Sequence, residues 1–340
     1  MKTITGLVLF VLLASGIPAA AHADHWRDGA CTQTSETMAL ACRAEIRDDY
    51  YVGTARCLNE SEFVERIECR SEVRSEYREA RELCGEQLEA RQNVCDAIGE
   101  APYDPSFEPE DFETSLDYLS RPNPYFPMAV GNEWVYGGDE DIHVEVLDET
   151  KLIDDIVCFV VRDVVTVDGD VAEDTNDWLA VSNVDGSVWY CGEEVKDYEY
   201  FDGDDPRLPE LVEIAGSFKV ERDGARAGVF FPGFPSLGDI YRQEFLPGEA
   251  EDIGEVVSIS YGLGADPELD EMVPEDLVDL LCNFDCVVIA ETNPLEPDVF
   301  ELKYFAPGIG FFLGINPEDE ELVQLTDCSF NIVCALLPDP

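Results

Sequence analysis

Asp163 and Asp174 form the sharpest chemical constellation in this 340-residue chain. They flank Asp168-Gly169, a dipeptide that strongly favours a two-residue β-hairpin turn. A hairpin folded tightly about that turn sets position 163 directly across from position 174. Phe159, Val161 and Val165 share the face of Asp163, and Trp178 shares that of Asp174, so both carboxylates fall on the more apolar side. Like charges directly opposite one another are destabilising. Three things could relieve them: a calcium ion held by Asp163 and Asp174, a shared proton that raises one pKa, or a basic partner from another segment. Structural pairing and a different register compete with the calcium reading. On the opposite face, Arg162 falls diagonally between Glu173 and Asp177 as an ordinary cross-strand ion pair.

Other motifs carry little chemistry. No segment places acids at positions one, three and five, glycine at six and glutamate at twelve, as a calcium-binding loop requires. Asp185-Gly186 and Asp202-Gly203-Asp204-Asp205 are turns. There is no Gly-x-Ser-x-Gly and no phosphate loop, and Gly308-Ile309-Gly310 is a hairpin turn. His143 alternates with Ile142 and Val144 as an exposed strand residue does, with no nucleophile beside it. Hydrolysis by paired carboxylates stays open, because acids are abundant everywhere.

The segments that would position Asp163 and Asp174 read as antiparallel β. Val157 to Val167 is rich in β-branched residues and is followed by Val171 to about Val181. Shorter strands are expected at Glu133 to Tyr136, Asp141 to Leu147 and Ser187 to Tyr190. Further candidates are Ser217 to Glu221, Gly228 to Phe231, Ile240 to Phe245, Val256 to Tyr261, Val287 to Glu291, Val299 to Phe305 and Phe311 to Gly314. One short helix begins at Pro274 and carries Leu277, Val278 and Leu281. Residues 125–340 are therefore expected to form an antiparallel sandwich, barrel or half-barrel.

The amino-terminal part differs in kind. Residues 1–23 have Lys2, an apolar run from Leu7 to Leu13 and Ala21-His22-Ala23, which together read as a secretory signal peptide cleaved at about Ala23. Between Cys31 and Cys95, six cysteines are spaced 11, 15, 12, 15 and 11 residues apart, a palindrome. Steps of 11 and 15 residues rotate by only about 20° and 60° around a helix. Two antiparallel helices, Ser35 to about Leu58 and the turn after Asn59 to about Ala97, would thus pair Cys31 with Cys95, Cys42 with Cys84 and Cys57 with Cys69. Apolar residues are few in this stretch, so disulfides replace a core. Closing the innermost ring alone contributes on the order of 3 kcal/mol. Residues 24–101 form this hairpin, and 102–124, with Pro102, Pro105, Pro109, Pro122 and Pro124 among acids, form an acidic linker or irregular strap.

The chain has twelve cysteines, an even number, all after the signal, which points to disulfides in an oxidising compartment and hence to a secreted or periplasmic protein. Cys328 pairs with Cys334. Cys158, Cys191, Cys282 and Cys286 stay unassigned, since Cys158 and Cys191 lie two strands apart in a simple meander, roughly 10 Å, too far for a direct bond.

Net charge is −54, and most of the excess lies beyond residue 101. Such a surface repels nucleic acid and anionic lipid and attracts divalent cations or basic proteins. Acid-rich, lysine-poor surfaces also keep proteins soluble in strong salt, and most of these charges serve solvation. No later stretch is apolar enough for membrane insertion.

Several patterns between 125 and about 315 belong together: Tyr125-Phe126-Pro127 with Gly131-Asn132-Glu133-Trp134, Val161-Arg162-Asp163, Glu173-Asp174-Thr175 with Asp177-Trp178, Val188-Trp189-Tyr190, Gly248-Glu249-Ala250-Glu251-Asp252 and Tyr304-Phe305-Ala306-Pro307-Gly308-Ile309-Gly310. As a set they resemble a family of secreted bacterial β-rich proteins of unassigned function, a resemblance that brings no catalytic residue with it. The opening Tyr-Phe-Pro…Trp and the closing Ala-Pro-Gly-Ile-Gly are also similar to lipoprotein-carrier half-barrels, which implies a curved sheet that holds an apolar ligand. The helical hairpin lies outside both resemblances.

Three functions are consistent with these readings: an exported, non-enzymatic binding or structural protein, with calcium as a candidate ligand; a carrier of an apolar ligand in a curved sheet; and a carboxylate-dependent hydrolase.

Overall fold

A computed structural model describes residues 29–138, 140–317 and 321–338, so the signal-peptide reading of 1–23 lies outside the described residues. Two helices, α1 (Ala30–Leu58) and α2 (Phe63–Ile98), form the expected hairpin. Disulfides join Cys31 to Cys95, Cys42 to Cys84 and Cys57 to Cys69, with Cα separations of 5.6, 5.8 and 5.5 Å. Apart from the cysteines, only Ser35, Ala39, Arg91 and Val94 are buried, so the three bridges take the place of a core along most of the hairpin's length. α1 starts five residues earlier than its composition suggests, because Gly29 takes a left-handed turn and Ala30 N–H donates to the carbonyl of Glu100 at the end of α2.

The hairpin's base is seated on the β domain rather than standing apart from it. The Arg91 guanidinium on α2 makes two hydrogen bonds to Glu251, at 2.7 and 2.9 Å, and the two side chains are only 6% and 4% exposed. Gln87 donates to the carbonyl of Leu295.

Beyond the hairpin, the described residues form two short 3-10 turns, Pro109–Asp111 and Ile332–Leu336, one short α-helix and fourteen strands. In order they are β1 (Glu133–Gly138), β2 (Asp141–Ile153), β3 (Ile156–Val167), β4 (Asp170–Val181), β5 (Val188–Glu194), β6 (Asp197–Glu199), β7 (Glu210–Glu213), β8 (Gly228–Phe231), β9 (Ile240–Arg242) and β10 (Ile253–Tyr261). After α3 (Glu275–Leu281) come β11 (Cys286–Asn293), β12 (Glu296–Ala306), β13 (Gly310–Asn316) and β14 (Glu321–Cys328). All the pairings are antiparallel, in one sheet with the order 7-6-4-3-2-1-14-13-12-11-10-9, and β5 extends from β4 to β8. The sheet curls until its ends meet at an isolated bridge between Arg226 and Phe245, without closing into a barrel. Gly228 permits that approach: a Cβ there would lie 1.9 Å from the carbonyl oxygen of Gln243.

Ser217 to Glu221 does not form a strand; it meets β5 through an isolated Gly192–Lys219 bridge and the edge-on contact of Phe218 with Tyr190. β6, β7 and β14 were not anticipated. β7 has no buried residue and hence no hydrophobic alternation to read.

A large core surrounds β10 to β13, with Tyr261, Tyr304, Phe312 and Leu313 fully buried; Tyr304 alternates with Lys303 and Phe305, packs on Tyr261, and both tyrosine hydroxyls donate to the carbonyl of Leu269. A second, smaller core lies outside β3 and β4, around Ile156, Cys158, Val160, Trp178, Ala180 and Cys191. The stretch 102–124 covers it. Phe112 is buried against Trp189, Phe107 packs on both rings, and Glu113 N–H donates to the carbonyl of Val181. This stretch is therefore a packed strap and not a free linker.

Cys158 and Cys191 are bonded, with Cα atoms 6.5 Å apart, closer than two flat strand spacings permit. Cys191 is the extra residue of a β-bulge opposite Trp178 and Leu179, and the bend a bulge imposes folds β5 over β4 towards β3. Cys282 pairs with Cys286, and Cys328 with Cys334.

Candidate functional site

Asp163 and Asp174 do not converge. The turn behaves as expected, with Asp168 and Gly169 both at positive φ and Val167 facing Asp170. Between Thr166–Val171 and Val165–Glu173, however, the register shifts and Ala172 becomes an extra residue. That single slip moves every later side chain of β4 to the other face. Asp163 then faces Thr175, while Asp174 faces Val164 on the outside. There Arg162 grips Asp174 with two hydrogen bonds at 2.8 and 2.9 Å and holds its carboxyl below the usual range. The expected pairing of Arg162 with Glu173 and Asp177 is likewise replaced, because those two acids turn inward. The calcium pair Asp163–Asp174 is thus split between two faces. Among the described residues, no group of three or more His, Cys, Asp or Glu side chains is placed to hold a metal ion.

What the slip builds is a cavity of about 310 Å³ inside the curl. Its lining mixes apolar and aromatic side chains, from Trp134, Tyr136, Ile142, Val144, Phe305 and Phe311, with seven carboxyl side chains, those of Asp163, Glu173, Asp177, Glu193, Glu244, Asp252 and Glu291, and one ammonium group, Lys303; Val144, for instance, faces Asp163 on the neighbouring strand. Period-two alternation on β4 delivers Glu173, Thr175, Asp177 and Leu179 to this face in turn.

Burial is the leading influence on five of these acids, Asp163, Asp177, Glu193, Glu244 and Asp252. It pushes Asp163 up to about 8, helped by the neighbouring charges of Asp177 and Glu173. Asp177 rises to about 6 and Asp252 to about 7, each mainly through burial, and Glu193 and Glu244 are raised for the same reason. The hydroxyl of Tyr190 lies within hydrogen-bond reach of both Asp177 Oδ1 and Glu193 Oε2, the latter at 3.0 Å. One hydroxyl proton can serve only one of them at a time, so Asp177 and Glu193 compete for the Tyr190 donor. Across the cavity, Lys303 Nζ lies 2.5 Å from Glu291 Oε2 and 3.4 Å from Glu301 Oε2, while Gln243 Nε2 donates to Glu291 Oε1 at 2.6 Å.

Among the described residues, three acceptors in this lining have no hydrogen-bond partner: Asp163 Oδ1, Asp252 Oδ1 and Gln243 Oε1, although Gln243 is only 6% exposed. Of this lining the sequence points to Asp163 alone as a site residue: Glu173 and Asp177 are expected on the opposite face with Arg162, Asp252 enters only through the resemblance, and Glu193, Gln243, Glu244, Glu291 and Lys303 are not singled out. The one available signal was charge inside apolar strands, as in Phe300-Glu301-Leu302-Lys303-Tyr304. Elsewhere, His143 lies on β2 with its side chain about half exposed, 3.9 Å from Glu133, away from the cavity. No family model, curated protein or solved structure matches the chain.

Proposed function

We propose that the protein is an exported, non-enzymatic binding protein whose β domain takes a small organic cation with an apolar body. The observation that carries this reading is the set of three buried acceptors without a hydrogen-bond partner among the described residues, Asp163 Oδ1, Asp252 Oδ1 and Gln243 Oε1, in a cavity also lined by aromatic side chains. Buried acceptors without partners are costly. An ammonium group supplies the missing donors, offsets part of the like-charge repulsion, and lets an attached apolar group rest on Trp134, Phe305 and Phe311. Six disulfides support the exported setting, and among the described residues no helix is long and apolar enough to cross a membrane. The test is calorimetric titration of the oxidised chain with 2-phenylethylamine and, as a control, 2-phenylethanol. The amine is expected to bind, the alcohol to give no heat, and Asp163→Asn to weaken the amine at least tenfold. Equal behaviour of amine and alcohol overturns the reading.

A carboxylate-dependent hydrolase is the second reading, and one observation favours it. Asp163, at about 8, keeps its proton at neutral pH while Asp177, at about 6, loses it, an acid beside a base. Turnover in a glycoside screen, abolished by both Asp163→Asn and Asp177→Asn, would select it over simple binding.

A further inference from the structure

A second cleft, of about 610 Å³, lies where the base of the helical hairpin meets the β domain. Its chemistry is opposite to that of the acidic cavity. In a chain with 75 acidic and 21 basic residues, it is lined by Arg91, Arg226 and Arg242. Arg226 is answered by Asp104 and Glu221, and Arg91 by Glu251. Arg242 has no such answer: among the described residues it forms no ion pair, its Nη2 finds only the Cys31 sulfur at 3.9 Å, and its Nε has no hydrogen-bond partner although the residue is 7% exposed. Arg91 Nη1 is unpartnered as well.

Glu251 is bonded to Arg91 and also accepts a hydrogen bond from the backbone N–H of Gly248, so Arg242 feels that carboxylate only through space. One positive charge is therefore left over in a setting where an uncompensated ion is expensive. Aromatic faces supply part of the compensation. The Arg242 guanidinium carbon lies 4.5 Å from the Phe245 ring centre and 5.6 Å from that of Tyr103. They cannot accept the in-plane N–H groups, whose fixed fork suits a carboxylate. Around the arginines the walls are apolar, with Met38, Val94, Ile98, Trp189 and Val229.

We propose that this cleft binds a small organic anion, a monocarboxylate on an apolar body, with Arg242 as its charge partner and the hairpin–sheet junction as its pocket. The carboxylate would take the donors that the protein leaves unused, and the body would cover the apolar walls supplied by both parts of the chain. Such a ligand would also tie the hairpin more firmly to the sheet, since α1, α2, the strap and β9 all line the cleft.

The experiment uses the full oxidised chain at neutral pH, with octanoate and benzoate as probes and octanol and benzyl alcohol as matched neutral controls. Calorimetry and thermal melting are expected to show binding and a raised Tm for the carboxylates alone, with a change in tryptophan fluorescence from Trp189. Arg242→Gln is expected to weaken octanoate at least tenfold, and Glu251→Gln, which removes the competing carboxylate, to tighten it. Alcohols that stabilise as much as the acids, or an Arg242→Gln variant with native circular dichroism that binds octanoate as the wild type does, overturn the proposal. Should Arg242→Gln not fold, the comparison of acid with alcohol on the wild type decides alone. Failure here leaves the organic-cation reading untouched, because the acidic cavity repels these probes.

Discussion

Lys303 holds Glu291 at 2.5 Å and is the one ammonium group among the seven carboxyls that line the cavity. Its removal leaves every one of those acids less compensated, so the cost depends on whether they can take up protons. Lys303→Met is expected to destabilise the fold by about 2 kcal/mol at pH 8, the lower side of the usual range because the pair is partly exposed. At pH 5 Asp163 and Asp252, at about 8 and about 7, hold their protons, and the loss should shrink below about 1 kcal/mol. Urea denaturation at the two pH values checks this, and a loss independent of pH would rule it out.

The raised carboxyls set the sign of the pH dependence. Asp163 moves from an ordinary 3.8 to about 8 in the folded chain. Between those values the native state keeps a proton that the unfolded chain releases, so stability falls as pH rises from about 4 to about 8 and then levels off. Asp177 and Asp252, at about 6 and 7, act in the same direction. Asp163→Asn cannot ionise. Its Tm should match the wild type near pH 4 and exceed it increasingly towards pH 8, by several degrees; parallel melting profiles across that range would refute the assignment.

Proton and ligand compete for the same oxygens, which fixes the pH course of amine binding. A carboxyl that holds its proton offers an ammonium group one acceptor fewer and no charge. Affinity for 2-phenylethylamine, itself charged throughout, should rise by about tenfold or more between pH 5.5 and pH 8.5. An affinity that falls with pH in calorimetric titrations would exclude Asp163, Asp177 and Asp252 as the ligands.

The hairpin ladder was legible because helices convert linear spacing directly into geometry: intervals of 11, 15, 12, 15 and 11 admit one antiparallel register. Strands are less forgiving. A single extra residue, Ala172, moved Asp174 to the outer face, and nothing in Val171-Ala172-Glu173 announces a bulge. A second bulge brought Cys191 to Cys158. The face of Asp163 was read correctly, but Gln243, Asp252, Glu291 and Lys303 lie 80 to 140 positions away. Only the curl of the sheet brings them opposite Asp163, and no local periodicity encodes that.

The curl itself depends on Gly228. A Cβ at this position would sit 1.9 Å from the Gln243 carbonyl oxygen and 2.3 Å from its carbon, both backbone atoms that cannot swing aside. Gly228→Ala should therefore separate β8 from β9 at a cost of about 3 kcal/mol. Because Gln243 lies on the moved segment and also lines the cavity, amine affinity should drop with it. A variant as stable as the wild type with unchanged affinity would show that the ends of the sheet need not meet.

The ladder's contribution is local, and that can be measured. Between its base and its tip the hairpin buries almost nothing besides cysteines, so its helices rely on cross-links and on intrinsic helix propensity. The base is fastened twice, by Cys31–Cys95 and by Arg91–Glu251, whereas the middle relies on Cys42–Cys84 and one ring contact, Tyr50 with Tyr77. Opening that middle bridge frees a loop whose closure is worth about 4 kcal/mol. In the double variant Cys42→Ser, Cys84→Ser, amides between residues 43 and 83 should exchange at least a hundredfold faster. Those of the base and of β10 to β13 should stay protected, since their contacts lie elsewhere. Faster exchange throughout the sheet would mean that hairpin and β domain unfold as one unit, and protection retained along the whole hairpin would mean that packing, not the disulfide, holds its middle together.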